Sequence, residues 1–253
     1  MASRRKLPVY GPVYGGEDAG PRPSTRVEVA RALGRGVDPV TVVEHVGVAV
    51  DRVQADVLGA ANGEPVPACA AGCCHCCHQR VEVTVPEVAR LARHLRELPG
   101  LAIRVEKTAK RTRGLSSEAY RREQIPCAFL DSRGLCAVYE QRPLGCRRAH
   151  STDRGACEAA HRTPDAAPEI PAAPSLSWNT SAVVVGMLEG MKHAGLAPDH
   201  YELHHALAIA LEHEHELPLA ALDPARTRTS TELATILGQP AAPARPSRHR
   251  TTR

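Results

Sequence analysis

The chain has 253 residues, 43% of them hydrophobic, and carries 32 Lys and Arg against 28 Asp and Glu for a formal net charge of +4. That mild charge, with one Phe (Phe129), one Trp (Trp178) and five Tyr, gives no basic surface interleaved with stacking aromatics, so nucleic-acid binding is not expected. No apolar run approaches the roughly eighteen residues of a membrane helix, and the basic stretch Met1–Lys6 leads into Pro, Gly and charge rather than an apolar core, so neither a span nor a secretory leader is expected.

Residues 1–24 read as a flexible lead-in, and 25–34 and 39–61 carry apolar positions at helical spacing. In the second of these, Val42, Val43, Val46, Val50, Val53 and Val57 form one stripe. Valine is a modest helix former, so this helix leans on tertiary packing. Gly63 to Pro67 then breaks the pattern. Val81-Glu82-Val83-Thr84-Val85 alternates as a short strand, and Pro86 opens a helix over about 86–98 with Val88, Leu91, Ala92 and Leu95 on one face. Residues 101–124 read as helical and basic, with Arg104, Lys107, Lys110, Arg111, Arg113, Arg121 and Arg122 on a solvated face. Turns dominate 125–157, a Pro/Ala linker covers 163–177, and two helices follow at about 178–195 and 199–216. From 217 onward Pro, Thr, Ser and Arg prevail, so 218–253 is expected to be a disordered tail. The fold class is therefore mainly α: a small helical domain over 25–217, with irregular cysteine-rich loops converging on a metal centre and disordered termini. With so few aromatic side chains, its core must come from small residues on closely approaching helices.

All nine cysteines fall in two packets. The first reads Cys69-Ala70-Ala71-Gly72-Cys73-Cys74-His75-Cys76-Cys77-His78, and the second is Cys127, Cys136, Cys146 and Cys157. Crowded thiolates repel one another and oxidise unless something neutralises them. A thiolate-bound metal ion or iron–sulfur cluster does so. Disulfides are a poor alternative, because the cysteine count is odd, Cys76 and Cys77 are adjacent, and the expected compartment, the cytoplasm, is reducing.

Cys73 and Cys76 have the C-x-x-C spacing that seats two sulfurs on one metal, and Cys69 adds a third ligand beyond the flexible Gly72. Cys77 projects away from Cys76 and is more easily placed on a second metal, or on another iron, which favours a polynuclear site. Cys127, Cys136 and Cys146 each sit beside turn residues (Pro126, the run Asp131-Ser132-Arg133-Gly134, and Pro143-Leu144-Gly145). Arg142 and Arg147, between or beside them, read equally as hydrogen-bond donors to sulfur and as ordinary ion pairs. His75, His78 and His150 are secondary candidates. His200 and His204 share an i, i+4 spacing, but the glutamate between them is misplaced for a zincin helix, so they read as bordering a packed face. His213 and His215 alternate with glutamates as a solvated end.

The run Cys69-x3-Cys73-x2-Cys76-Cys77, then Val81-x-Val83 and Pro86-Glu87, resembles the opening of the YkgJ-type cysteine-cluster proteins, the zinc- or iron-chelating CxxCxxCC domain. Pro126-Cys127-Ala128-Phe129-Leu130-Asp131 and Gly134-x-Cys136-x-Val138-Tyr139-Glu140-x-Arg142-Pro143-x2-Cys146-Arg147 are similar to that family's second signature. The resemblance covers about residues 65–160. It implies a metal centre formed by both packets, with ligands at Cys69, Cys73, Cys76, Cys77, Cys127, Cys136 and Cys146, and Cys157 as an eighth. Cys74 is an extra thiol beyond the usual pattern. The family also includes a flagellin lysine N-methylase, so redox or protein-modification chemistry at an iron–sulfur centre is one expectation. The alternatives are a structural zinc site in an interaction or adaptor protein with a protein partner on the basic helix, and a metal trafficking or sensing site. No glycine-rich dinucleotide loop and no P-loop appear, and a radical-SAM barrel does not fit a short helical chain.

Overall fold

The computed structural model describes residues 21–60, 63–166 and 168–212. The expected tail at 218–253, most of the lead-in, and His213 and His215 lie outside the described residues.

Two helical groups, each with its own apolar cluster, flank the cysteine-bearing loops. The first comprises α1 (Pro21–Gly34), α2 (Pro39–Gly59) and α8 (Pro174–His193), with α1 and α2 both packed on α8. Its core joins Val42, Val43, Val46 and Val50 of the anticipated stripe to Val29, Val183, Met187, Met191 and Leu144. The expected reliance on small residues holds here. A Cβ on Gly186 would press into the Arg22 carbonyl and come within 2.9 Å of Thr25 Cβ, so α1 reaches α8 only because that position lacks a side chain. Asp38 starts α2 by accepting from the Val40 N–H at 3.2 Å, ahead of Pro39.

The second group comprises α3 (Val85–Leu95), α4 (Pro99–Thr112) and α9 (Leu203–Glu212) around a two-stranded ribbon. The strand read at 81–85 is present as β1 (Glu82–Thr84), paired antiparallel with β2 (His200–Glu202) in the register Val83 opposite Tyr201. Val88, Leu91, Ala92 and Leu95 are buried as their spacing predicts, against Phe129, Val138, Leu203 and Leu207. Among the described residues, no helix is long and apolar enough to cross a membrane.

Four element boundaries differ from the sequence reading; the first is that α1 begins at Pro21, inside the lead-in expected over 1–24. The helix anticipated at 199–216 begins only at Leu203, since residues 200–202 are strand and the Glu202 carboxylate accepts from the His204 and His205 N–H groups at 3.2 and 2.8 Å. Those N–H groups are first-turn donors with no intrahelical partner, so the carboxylate defines where the helix starts. The basic helix anticipated at 101–124 is two helices, α4 and α5 (Ser117–Glu123), separated at Gly114 with φ +75° and restarted by Ser116 accepting from the Ala119 N–H. Lys107, Lys110, Arg111, Arg113, Arg121 and Arg122 are exposed on them, as a solvated face requires, while Arg104 donates to the Leu130 carbonyl. The linker anticipated at 163–177 holds a short turn at Pro164–Ala166, and α8 already starts at Pro174.

Candidate metal centre

The first packet is a pair of tight turns. Cys73 N–H donates to the Ala70 carbonyl at 2.9 Å across Gly72, whose φ of +82° lies in the left-handed region. A single 3₁₀ turn, His75–His78, follows, closed by Cys77 N–H donating to the Cys74 carbonyl at 2.9 Å. Cys69 is fixed separately: Ser151 N–H donates to its sulfur at 3.4 Å, and Ala68 N–H donates to the Ser151 carbonyl at 2.8 Å.

The second packet is built on a hairpin-like loop. Leu130 bridges Cys136 across it, and Ala137 N–H donates to the Phe129 carbonyl at 2.8 Å. Asp131 organises the tip, its Oδ1 accepting from the N–H groups of Arg133 at 2.9 Å and Leu135 at 2.8 Å. This is the side-chain mimic of a backbone turn that aspartate favours. The backbone hydrogen bonds hold its carboxyl below the usual range, with Arg133 adding to them.

The packets meet through backbone. Cys127 N–H donates to the Cys77 carbonyl at 2.8 Å. The tip glycine, Gly134, has φ +77° and lies so close to the first packet that a Cβ there would stand 2.9 Å from the Gly72 carbonyl oxygen. Cys146 arrives on a third element, α6 (Leu144–Arg148). Buried Glu87 holds that helix: its Oε1 accepts from the Leu144 N–H at 2.9 Å, while Oε2 accepts from the N–H and hydroxyl of Thr84, both at 2.8 Å. One carboxylate thus caps α3 and pins the start of the Cys146 helix.

The sulfurs sense one another. Burial pushes the Cys146 thiol up, and the charges of Cys127, Cys76, Cys136 and Glu87 push it further. Burial also raises Cys136, with Cys127 and Cys76 adding to it and Arg142 opposing. Cys77 is held well above the ordinary thiol range by its hydrogen bond to Cys76, by burial, and by the charges of Cys76, Cys127 and Cys146. Receiving that hydrogen bond lowers Cys76 to about 7 against the effect of burial. Cys73 is raised by burial and then by Cys69 and Cys76, with Arg154 opposing. Cys76, Cys77, Cys127, Cys136 and Cys146 therefore share one electrostatic neighbourhood, and Cys69 and Cys73 adjoin it through Cys76. All nine cysteines are free thiols. Cys74 and Cys157 are half-buried, and Cys157 lies on α7 (Arg154–Arg162), which packs against the 75–78 turn. Among the described residues, no three Cys, His, Asp or Glu side chains are drawn together as a ready metal-holding group.

The polar surroundings resolve several open readings. Arg147 and Arg142 form ion pairs rather than bonds to sulfur: Arg147 donates to Asp51 and to the Glu140 carbonyl, and Arg142 sits 3.7 Å from Asp51 and 3.9 Å over the Tyr139 ring. His75 and His78 lie against His161 of α7, with ring centroids 5.5 and 4.5 Å away. Burial lowers both His78 and His161.

His200 and His204 do not share a helix face. His200 lies in β2, and His204 is on the first turn of α9, 1% exposed, with Nδ1 2.9 Å from Glu202 Oε1. Its Nε2 accepts from the Ala128 N–H at 3.1 Å, and the Cys127 side chain adjoins the ring. In the neutral ring Nε2 accepts from Ala128, and in the cationic ring it donates to the thiolate. Burial disfavours the cation, but the bonds to Cys127 and Glu202 outweigh it and raise His204 to about 9.

The sequence reading missed Glu87 and the Glu202–His204 pair as supports of the cysteines. For Glu87 a signal was available, because Thr84-x-x-Glu87 ahead of an apolar run has the capping-box pattern. Glu202 and His204 act through Ala128, which is distant in sequence, and left no comparable mark.

Residues 68–166 match the family model CxxCxxCC, described as "Putative zinc- or iron-chelating domain". No curated protein and no solved structure matches the chain. The matched span contains both packets, Glu87, and the loops that join them.

Proposed function

We propose that the two packets together hold one polynuclear thiolate-ligated metal centre, a reading supported by the match of residues 68–166 to a zinc- or iron-chelating family model. Cys76, Cys77, Cys127, Cys136 and Cys146 form its inner set, Cys69 and Cys73 complete the first-packet side, and Cys157 on α7 is an eighth ligand. The observation that carries this reading is the direct contact of the packets, with the Cys127 N–H donating to the Cys77 carbonyl at 2.8 Å and Gly134 of the second loop lying against the Gly72 carbonyl of the first. Soft, mutually repelling sulfur donors suit zinc or iron–sulfur chemistry and are stabilised by a cation. Vicinal Cys76 and Cys77 favour more than one metal atom, since adjacent residues project their sulfurs apart. The backbone of the first packet is tied to the loop that carries Cys127 and Cys136.

The supporting residues have defined parts. Glu87 positions Cys146 through the Leu144 N–H, Asp131 shapes the turn before Cys136, and His204 faces Cys127 from the second helical group. Arg142 and Arg154 offset negative charge at Cys136 and Cys73. An iron–sulfur centre would supply one-electron chemistry, whereas a zinc centre would serve as a structural lock. The second role has an observation in its favour. The chain between Cys127 and Cys157 joins the two apolar clusters mainly through turns, so metal bound there contributes directly to folding free energy.

Anaerobic purification, with an absorption spectrum and metal analysis on one sample, tests the proposal. Iron with matching acid-labile sulfide and absorption near roughly 400 nm assigns a cluster. A colourless protein with stoichiometric zinc assigns the structural role. A protein without metal that takes up neither zinc nor iron on anaerobic reconstitution overturns both.

A further inference from the structure

Beside Cys146 lies an open cleft of about 240 Å³, lined by Gly145, Arg148, Ala149, His150, Ser177 and Thr180. It separates the end of α6 and the residues after it from one face of α8. Gly145 and Ala149 contribute little bulk, and no acidic side chain lines it.

Arg148 is distinctive among the arginines of this region. Arg147 and Arg142 have Asp51 as a counter-ion. Arg148, half-buried, has no carboxylate partner among the described residues. Among the described residues its side chain makes one donation, from Nη1 to Ser181 Oγ at 2.6 Å. A guanidinium carries five N–H donors in a planar fork suited to carboxylate and phosphate oxygens, so most of this one's capacity is unused.

Opposite it, His150 is oriented by its own backbone neighbourhood. Its Nδ1 lies 2.9 Å from the Arg148 carbonyl, which places the proton on Nδ1 and leaves Nε2 facing Ser177 Oγ at 3.4 Å. Ser177 lines the cleft, and Ser181, one turn further along α8, holds Arg148 by accepting from it. A partly desolvated cation without a counter-ion, a hydroxyl donor beside it, and an acid-free wall are the features of an anion site.

We propose that this cleft binds a small oxyanion, the carboxylate or phosphate group of a ligand, through the free edge of Arg148, with the Ser177 hydroxyl turning from its long 3.4 Å contact with His150 Nε2 to act as a second donor. A group held there lies next to Cys146 and hence beside the proposed metal centre. The binding itself does not depend on that centre, so it is measured on both metal-free and metal-loaded full-length protein.

Sodium phosphate and sodium acetate are titrated separately at constant ionic strength, with sodium chloride as reference. Binding is followed by calorimetry and by the fluorescence of Trp178, which is exposed and adjacent to Ser177 in the chain. Saturable binding of either anion is expected. A preference for phosphate points to a phosphorylated ligand and a preference for acetate to a carboxylate. Loss of charge-assisted bonds makes Arg148→Gln bind at least about tenfold more weakly, and Ser177→Ala is expected to weaken binding less. Arg113→Gln, which removes an exposed charge elsewhere, leaves affinity unchanged. Failure of both anions to saturate above the chloride reference overturns the proposal, as does wild-type affinity in Arg148→Gln. Should that variant not fold, wild-type affinity in both Ser177→Ala and Ser181→Ala is the overturning result. Anion binding in protein that takes up no metal would leave this site standing while the metal reading falls.

Discussion

Replacing Gly134 with alanine drives a wedge between the two cysteine packets, and Gly72→Ala provides its control. Both glycines have left-handed backbone, φ +77° and +82°, so each alanine variant pays a conformational cost of about 1 kcal/mol. Their surroundings differ. A Cβ at Gly72 would have the Arg133 carbonyl at 3.7 Å, an ordinary contact, whereas one at Gly134 would stand 2.9 Å from the Gly72 carbonyl oxygen. That atom is backbone and cannot swing aside, so the loops must part by a few tenths of an ångström, at an added cost of about 1–3 kcal/mol. For a chain of this size each kcal/mol lowers the melting temperature by about 2–4 °C. The larger consequence falls on the metal, because ligands from the two sides no longer close on it together. Losses of roughly 10–100-fold accompany comparable disturbance of the groups that position metal ligands. Anaerobic titration of each metal-free variant with Cd(II), read by thiolate-to-metal absorption, measures this. Gly134→Ala should bind at least about tenfold more weakly than Gly72→Ala. Equal affinities would refute the idea that the contact between these loops positions the ligands.

Further outcomes follow from the supporting residues. Glu87→Ala leaves the buried Thr84 and Leu144 N–H groups without an acceptor, so it should destabilise the protein by about 3 kcal/mol or more in denaturant unfolding, while Glu87→Gln should cost less because one acceptor oxygen remains. Glu202 is held below the ordinary carboxylate range: burial opposes this, but the hydrogen bond and charge of His204 and the backbone bonds from residues 204 and 205 prevail. Its contribution is therefore present above the unfolded-state value and lost as pH falls through the lowered folded-state value. Glu202→Gln should accordingly be less stable than wild type at neutral pH, by about 1–3 kcal/mol, and unfolding curves measured at successively lower pH should converge. Metal removal by a chelator should raise hydrogen exchange across 125–157 more than in α1, α2 and α8, whose shared apolar cluster contains no cysteine.

The legible parts of this fold were those whose signal is local. The valine stripe of α2, the α3 face and the alternation at 82–84 each appear in the elements their period predicts, because one buried face imposes its repeat on the sequence. Strand β2 was not legible. It is three residues long, its partner is more than a hundred residues away, and the i, i+4 spacing of His200 and His204 imitates a helix that begins only at Leu203. The break at Gly114 did carry a local signal, a glycine followed by the Ser116 N-cap, which the run of basic residues through 104–122 outweighed. At the candidate site, the spacing of the cysteines pointed to a metal, and the family-model match at 68–166 spans both packets. The carboxylates that organise the loops were harder to find. Glu87 and Glu202 look like surface residues in sequence, and only their burial against distant N–H donors and His204 reveals what they do.

The most direct test of a single shared centre is metal content, measured on full-length protein purified anaerobically as wild type and as two variants. One variant carries Cys73→Ser with Cys76→Ser, and the other Cys127→Ser with Cys136→Ser. A centre built from both packets predicts that each variant loses most of the metal held by the wild type. If either variant keeps the full complement, one packet suffices for binding and the shared centre is contradicted.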